Sequence, residues 1–297
     1  MHNIYHQIDN DHFAITLGKA EDFGTPNEEL ARIADQYPQS ITVLVSGGAD
    51  SEVMAKWMAG HGKDVTGVAY RFLYEGKCVN EHDLAYVPEL DSHCKLVYKD
   101  INLDVFWESK WFWDFVAAYK CTSPQLPIQA YMAMVESMER FTILPAIHPE
   151  PKIVNGATHI QEREKDYSIL AYLQGFNGAV SPLRSTPEMI ASLISSPEFT
   201  DFHTFGVSDG RDRKHLQYKQ WFDIDIKQRQ KFHGFEGYEH IDNEMRERIF
   251  LKHGYSESWM FIPADEMLEN FKTKETVYST QTHIPYIRTN FHKLEKW

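Results

Sequence analysis

The run from Ile41 to Val45 is almost continuously apolar and rich in β-branched residues, the pattern of a strand buried in a parallel sheet. A turn of small residues follows, Ser46-Gly47-Gly48-Ala49-Asp50-Ser51. Val53, Met54, Trp57 and Met58 then share one helical face, and Gly60 and Gly62 stop that helix. A second β-rich run spans Val65 to Tyr74. Strand, helix and strand within about 30 residues make a βαβ unit.

The rest of the chain continues the alternation. Residues 1–18 alternate around Ile4, Ile8, Phe13, Ile15 and Leu17, with a turn-rich stretch from Asp9 to His12, which predicts a hairpin. Asn27 is the expected N-cap of a short helix with Leu30, Ile33 and Ala34 on one face. Residues 81–87 are helix-like up to Pro88 and lead to a strand over 95–98. A further helix spans 127–138, with Pro127 in its first turn. It leads to a short strand, Lys152-Ile153-Val154, that ends at Asn155-Gly156. This order predicts an α/β, doubly wound sheet. Thr186 and Pro187 start another helix, and beyond them the chain reads as helix-rich with no clear strand series. A boundary is therefore expected between an N-terminal hairpin plus α/β unit, residues 1–184, and a mainly helical C-terminal region, 185–297.

Composition narrows the function classes. Of 297 residues, 42% are hydrophobic and 25% charged, a folded rather than disordered balance. The net charge of −13 argues against a nucleic-acid partner, which needs a basic stripe, and against an anionic membrane surface. No apolar run approaches the ~20 residues of a membrane helix. The three cysteines form no CxxC pair, so a reducing, cytoplasmic setting is expected. The aromatic stretch Phe106-Trp107 and Trp111-Phe112-Trp113 reads as core, a lid or a surface between copies of a homo-oligomer.

A small anionic ligand remains compatible with this charge, because local backbone dipoles can override the global sign. In the turn after the first buried strand, two glycines let an anion approach the backbone without a Cβ in the way. The N–H groups of the turn and the helix N-terminus point at that anion, with Ser46 and Ser51 adding hydroxyls. Asp50 would repel a bare phosphate, so its role there is to hold Mg²⁺ against phosphate oxygens. The alternative is a plain strand-to-helix turn in which Asp50 or Ser51 only caps the helix. No Gly-Lys-Ser/Thr follows, so this is not a Walker loop, and it is not a GxGxxG fingerprint.

Ser46-Gly47-Gly48-Ala49-Asp50-Ser51 resembles the SGGxDS loop of the N-type ATP pyrophosphatases, the PP-loop family, with strand before and helix after. The resemblance covers roughly residues 40–190 and implies a Rossmann-like, adenine nucleotide alpha hydrolase-like fold. It also implies that Val45 through Ser51 bind ATP, with Mg²⁺ on Asp50. ATP would be cut between the α- and β-phosphates, and a nucleophile, usually nitrogen or sulfur, would displace AMP from the adenylated substrate. Cys121-Thr122-Ser123-Pro124 with its helix, and then Ile153-Val154-Asn155-Gly156, look most like the synthetase domain of asparagine synthetase. That likeness implies a nucleotide contact at Gly156 and a second metal ligand soon after it. The family's acidic pair is missing there, and Glu162 is the nearest carboxylate. Nothing near the start matches the glutaminase cysteine, so the nitrogen is expected from ammonia, an amine or a partner. A base- or tRNA-modifying adenylase and a non-catalytic nucleotide-binding module are the other readings.

Two basic positions are implicated. Ser181-Pro182-Leu183-Arg184 matches a Pro-Leu turn of the family, and Arg184 is expected to meet phosphate or solvent. Asp209 to His215 is the densest basic cluster, read as a loop. Relatives use a late cation against the leaving pyrophosphate, and Lys214 is the first choice, ahead of Arg211 and Arg213. An exposed charged loop is the alternative there.

Overall fold

The computed structural model describes residues 5–9, 12–16, 20, 22–119, 121, 124–145, 150–154, 157–163, 172–173, 175–197, 199, 214–228, 237–245, 247, 277–281 and 289–293. In chain order the elements are β1 (Tyr5–Asp9), β2 (His12–Thr16), α1 (Pro26–Ala34), β3 (Ser40–Leu44), α2 (Ala49–Gly60), β4 (Asp64–Tyr74), β5 (Lys77–Cys78) and α3 (Glu81–Leu84). They continue with β6 (Lys95–Asn102), α4 (Leu103–Glu108), α5 (Lys110–Tyr119), α6 (Gln125–Ser137), β7 (Phe141–Leu144), β8 (Glu150–Val154) and β9 (Ala157–Arg163). The last are β10 (Gly178–Val180), α7 (Pro187–Ser195), α8 (Lys214–Phe222), α9 (Tyr238–Met245), β11 (Val277–Gln281) and β12 (Thr289–Lys293).

Five strands run parallel in the order β6-β4-β3-β7-β10, with the short β5 antiparallel against the end of β4. Numbered by their sequence along the sheet, these strands lie 3-2-1-4-5, so the winding reverses between β3 and β7. In open α/β sheets, ligands bind at the carboxyl ends of strands beside such a switch point.

Alternation along the strands sends side chains to two cores. Ile41, Val43, Val45, Val65, Ala69 and Ile143 face α1, α2, α7 and α8. Leu44, Val68, Tyr70, Ile101 and Leu144 face α4, α5 and α6. The aromatic stretch belongs to this second core: Phe106, Trp107 and Phe112 are buried, and Trp111 and Trp113 pack against them. The fold is therefore a mixed α/β one with a Rossmann-like parallel sheet and helices on both faces.

Several local readings change. Thr25, not Asn27, caps α1, in a reciprocal box in which Thr25 N donates to Glu28 Oε2 at 2.7 Å and Thr25 Oγ1 accepts from Glu28 N at 3.3 Å. Asn27 lies inside the helix, where its Oδ1 accepts from Trp57 Nε1 at 2.7 Å. The strand after α6 is β7, not the segment ending at Val154. Residues 150–154 form β8, which pairs antiparallel with β9 and stands apart from the parallel sheet. Asn-Gly between two alternating runs is the strongest short hairpin signal, and it outweighs a strand–glycine reading.

The region after 185 is not only helical. β11 extends the N-terminal hairpin by pairing with β2, and β12 pairs with β9. α7 and α8 contribute Met189, Leu193, Tyr218, Trp221 and Phe222 to the same core as α1 and α2. No helix among the described residues is long and apolar enough to cross a membrane.

Candidate functional site

The site begins where β3 leaves the sheet. Val45 N still donates to Val68 O at 2.9 Å, so the chain is held in register until the turn. At Gly47 the backbone has φ +75°, and a Cβ there would lie 1.7 Å from the carbonyl oxygen of Asp83 in α3. The protein's own chain passing over it is by itself enough to require glycine at this position. Gly48 behaves differently. It is extended, it is exposed, and a Cβ would meet only Ser46 Oγ, at 3.3 Å.

Gly48 is the N-cap of α2, and no side chain caps that helix. Asp50 and Ser51 therefore do not act as N-caps. Ser51, 4% exposed, braces the turn instead: its Oγ donates to Gly48 O at 2.9 Å and accepts from Ser46 N at 3.2 Å. Ser46 Oγ in turn accepts from Gly48 N at 3.4 Å. The turn is thus tied on its inner side, while Ser46 and Gly48 face outward. A 12-residue helix whose first turn carries no capping side chain presents its N–H groups and positive dipole end to an anion. These features fit a polyphosphate.

Asp50 is half-buried in this first turn and meets a partner from the far end of the chain. Lys214 Nζ donates to both Asp50 oxygens, at 2.8 Å each. The Tyr218 hydroxyl donates to Asp50 Oδ1 as well. Lys214 is not in a loop: it is the first residue of α8, and Tyr218 stands one turn further on the same face. α8 packs on α1 and α2, and Tyr218, at 1% exposure, is anchored in the core. Sequence reading missed Tyr218. The signal was present, since Lys214, Tyr218, Trp221 and Phe222 follow helical spacing.

Asp50 supplies the carboxylate a divalent cation needs, with Ser46 and Ser51 as neighbouring hydroxyls, so the donor types fit Mg²⁺. Among the described residues no group of three or more His, Cys, Asp or Glu side chains stands together as a metal centre. Arg184 ends the short turn Pro182–Arg184 that follows β10, at the carboxyl end of that strand as the turn 46–51 is at that of β3, and its side chain lies outside what is described. The turn starts from Ser181, which has φ +41° and donates its N–H to Leu144 O at 2.8 Å. Glu162 lies in β9, opposite Asn290 of β12, in a sheet not hydrogen-bonded to the parallel one, and its side chain is likewise not described. Gly156, Arg211 and Arg213 fall outside the described residues.

Residues 39–130 match the tRNA methyl transferase HUP domain family. That segment runs from the start of β3 into α6 and includes the whole turn. No curated protein matches the chain. Among solved structures, NMN synthetase from Francisella tularensis is similar over 82% of this chain and 98% of that one, at 14% identity and a TM-score of 0.32. The family match agrees with the sheet order on a HUP-type, Rossmann-like fold and does not single out asparagine synthetase.

Proposed function

We propose that the protein is an ATP-dependent adenylating enzyme of ligase type, which cleaves ATP to AMP and pyrophosphate. The acceptor is a carboxyl or carbonyl group, activated for attack by ammonia or an amine. The observation that supports this best is the turn 46–51 at the open N-terminus of α2, reached by the Lys214 ammonium from α8. The turn contains no lysine of its own to pull on a γ-phosphate, as phosphoryl-transfer loops do. Its N–H groups and serines suit a pyrophosphate held as one unit. An acceptor oxygen then attacks the α-phosphorus, the bond to the β-bridging oxygen breaks, and pyrophosphate leaves. Lys214 is the cation that meets the charge developing on it, and Arg184, also beyond the carboxyl end of a parallel strand, is a second. Asp50 is the carboxylate that would hold Mg²⁺, which supplies further charge neutralisation when bound.

A second reading is a nucleobase- or tRNA-modifying adenylase, favoured by the tRNA methyl transferase HUP family matched over 39–130. The net charge of −13 weighs against a long phosphate-backbone contact, so such an acceptor would be a single presented base. One assay tests both. The protein is incubated with α- and γ-labelled ATP and either small carboxylates plus ammonia or unmodified tRNA. Acceptor-dependent AMP and pyrophosphate support adenylation, and the panel that stimulates them selects the acceptor. Acceptor-dependent ADP and orthophosphate would overturn both readings.

A further inference from the structure

Asp50 faces two tasks that conflict. As a carboxylate in the first turn of α2 it is the position for a divalent cation, yet both of its oxygens are taken by Lys214, symmetrically at 2.8 Å. The Tyr218 hydroxyl donates to one of the same oxygens. The side chains of Asp50 and Lys214 are 25% and 22% exposed, so the pair is open to an incoming ligand. Tyr218 is not: it is 1% exposed, within the core shared with α2, and its ring lies 6.1 Å from that of Phe222. Lys214 thus reaches Asp50 on a flexible stem, and Tyr218 reaches it from a ring fixed in the core.

We propose that Lys214 is an internal occupant of the cation position on Asp50, exchanged for a divalent cation on ligand binding, while Tyr218 is a positioning residue that keeps Asp50 aimed through the exchange. A lysine held this way neutralises the loop before nucleotide arrives and prevents Asp50 from repelling the phosphates. Displacement frees the ammonium beside the turn. The same residue therefore serves the empty and the loaded site, and its release is coupled to cation entry. The last step rests on the nucleotide reading above; the exchange on Asp50 does not.

The test uses the nucleotide-free full chain and Mn²⁺ alone, with binding followed by water-proton relaxation. Lys214→Met removes the competing charge, and it lowers the Mn²⁺ dissociation constant by about fivefold, the scale of a part-exposed ion pair. Adding Asp50→Asn cancels that gain. Adding Tyr218→Phe instead, which keeps the ring and the core, weakens Mn²⁺ binding by about threefold relative to Lys214→Met alone, the scale of one hydrogen bond. Circular dichroism checks the fold of each variant, and Lys214→Gln stands in if the methionine variant does not fold. Mn²⁺ binding no tighter in the lysine variants than in wild type would overturn the exchange. An unchanged constant on adding Tyr218→Phe would overturn the positioning role. No ATP is present, so a failed adenylation assay leaves this result standing. Conversely, AMP formation with no gain in Mn²⁺ affinity rejects the exchange alone.

Discussion

The two faces of the sheet each carry a tyrosine, a lysine and one carboxylate, and they use them in opposite ways. On the face covered by α4, α5 and α6, Tyr70 donates to Glu136 Oε1 at 2.5 Å and Lys99 Nζ donates to the same oxygen at 2.6 Å. Glu136 is 3% exposed. Burial, and then the hydrogen bond to Glu136 with its charge, push the Tyr70 hydroxyl far above the usual tyrosine range. On the other face, Tyr218 and Lys214 hold Asp50, a quarter of whose side chain is exposed at the mouth of the turn. The chemistry is the same and the solvent access is not. A sealed carboxylate is worth its hydrogen bonds to the fold, whereas an open one can trade its partner for a ligand.

The largest effect comes from crowding the turn of the open face where α3 passes over it. Gly47→Val forces a β-branched residue to φ +75° with its Cβ against the Asp83 carbonyl, and it destabilises the protein by about 3 kcal/mol or more in urea unfolding. Gly48→Val meets only the Ser46 hydroxyl, at 3.3 Å, and puts a poor capping residue at the start of α2, so it costs about 1 kcal/mol while the ATP-induced rise in Tm disappears. Equal damage from both would erase the distinction between the two glycines. The sealed cluster comes next. Glu136→Ala leaves Tyr70 and Lys99 without their shared acceptor and costs about 3 kcal/mol, discounted because Lys99 is part-exposed and can reach water. A stability loss below about 0.5 kcal/mol would mean that this cluster is not structural.

Asp50→Asn is the counterpart on the open face. Its ion pair is part-exposed, so stability moves by no more than about 1 kcal/mol, while pyrophosphate release falls about a hundredfold. Full pyrophosphate release in that variant would make the open cluster as structural as the sealed one. The smallest effect is on alkaline stability. Tyr70 titrates higher in the folded protein than unfolded, so its contribution is intact below about pH 10 and is lost progressively as pH rises above it, because the unfolded chain gives up that proton first. Burial raises Tyr37 in the same direction, so Tyr70→Phe should remove only part of the slope. An unchanged slope between pH 10 and 11 in urea titrations would show that Tyr70 does not hold its proton.

The sequence by itself determined the βαβ unit from Ile41 to Tyr74 and the turn within it, because a buried parallel strand, a glycine turn and an amphipathic helix are each written in neighbouring residues. The helix start at Thr186-Pro187 was legible for the same reason, and Thr186 Oγ1 does accept from Met189 N at 3.1 Å. The four-residue β7 was not, since so short a run has too little periodicity to separate it from its surroundings. The helix over 214–222 was hidden by its basic start, which read as a charged loop. What only the tertiary structure decided are the contacts that give the turn its character: the Asp83 carbonyl over Gly47, 36 residues away, and Lys214 with Tyr218 on Asp50, 164 and 168 residues away. Local spacing encodes which groups share a helix or strand face. It does not encode which distant helix packs over that face, because such packing is set by the fit of whole apolar surfaces, and the polar groups carried along meet where the packing puts them.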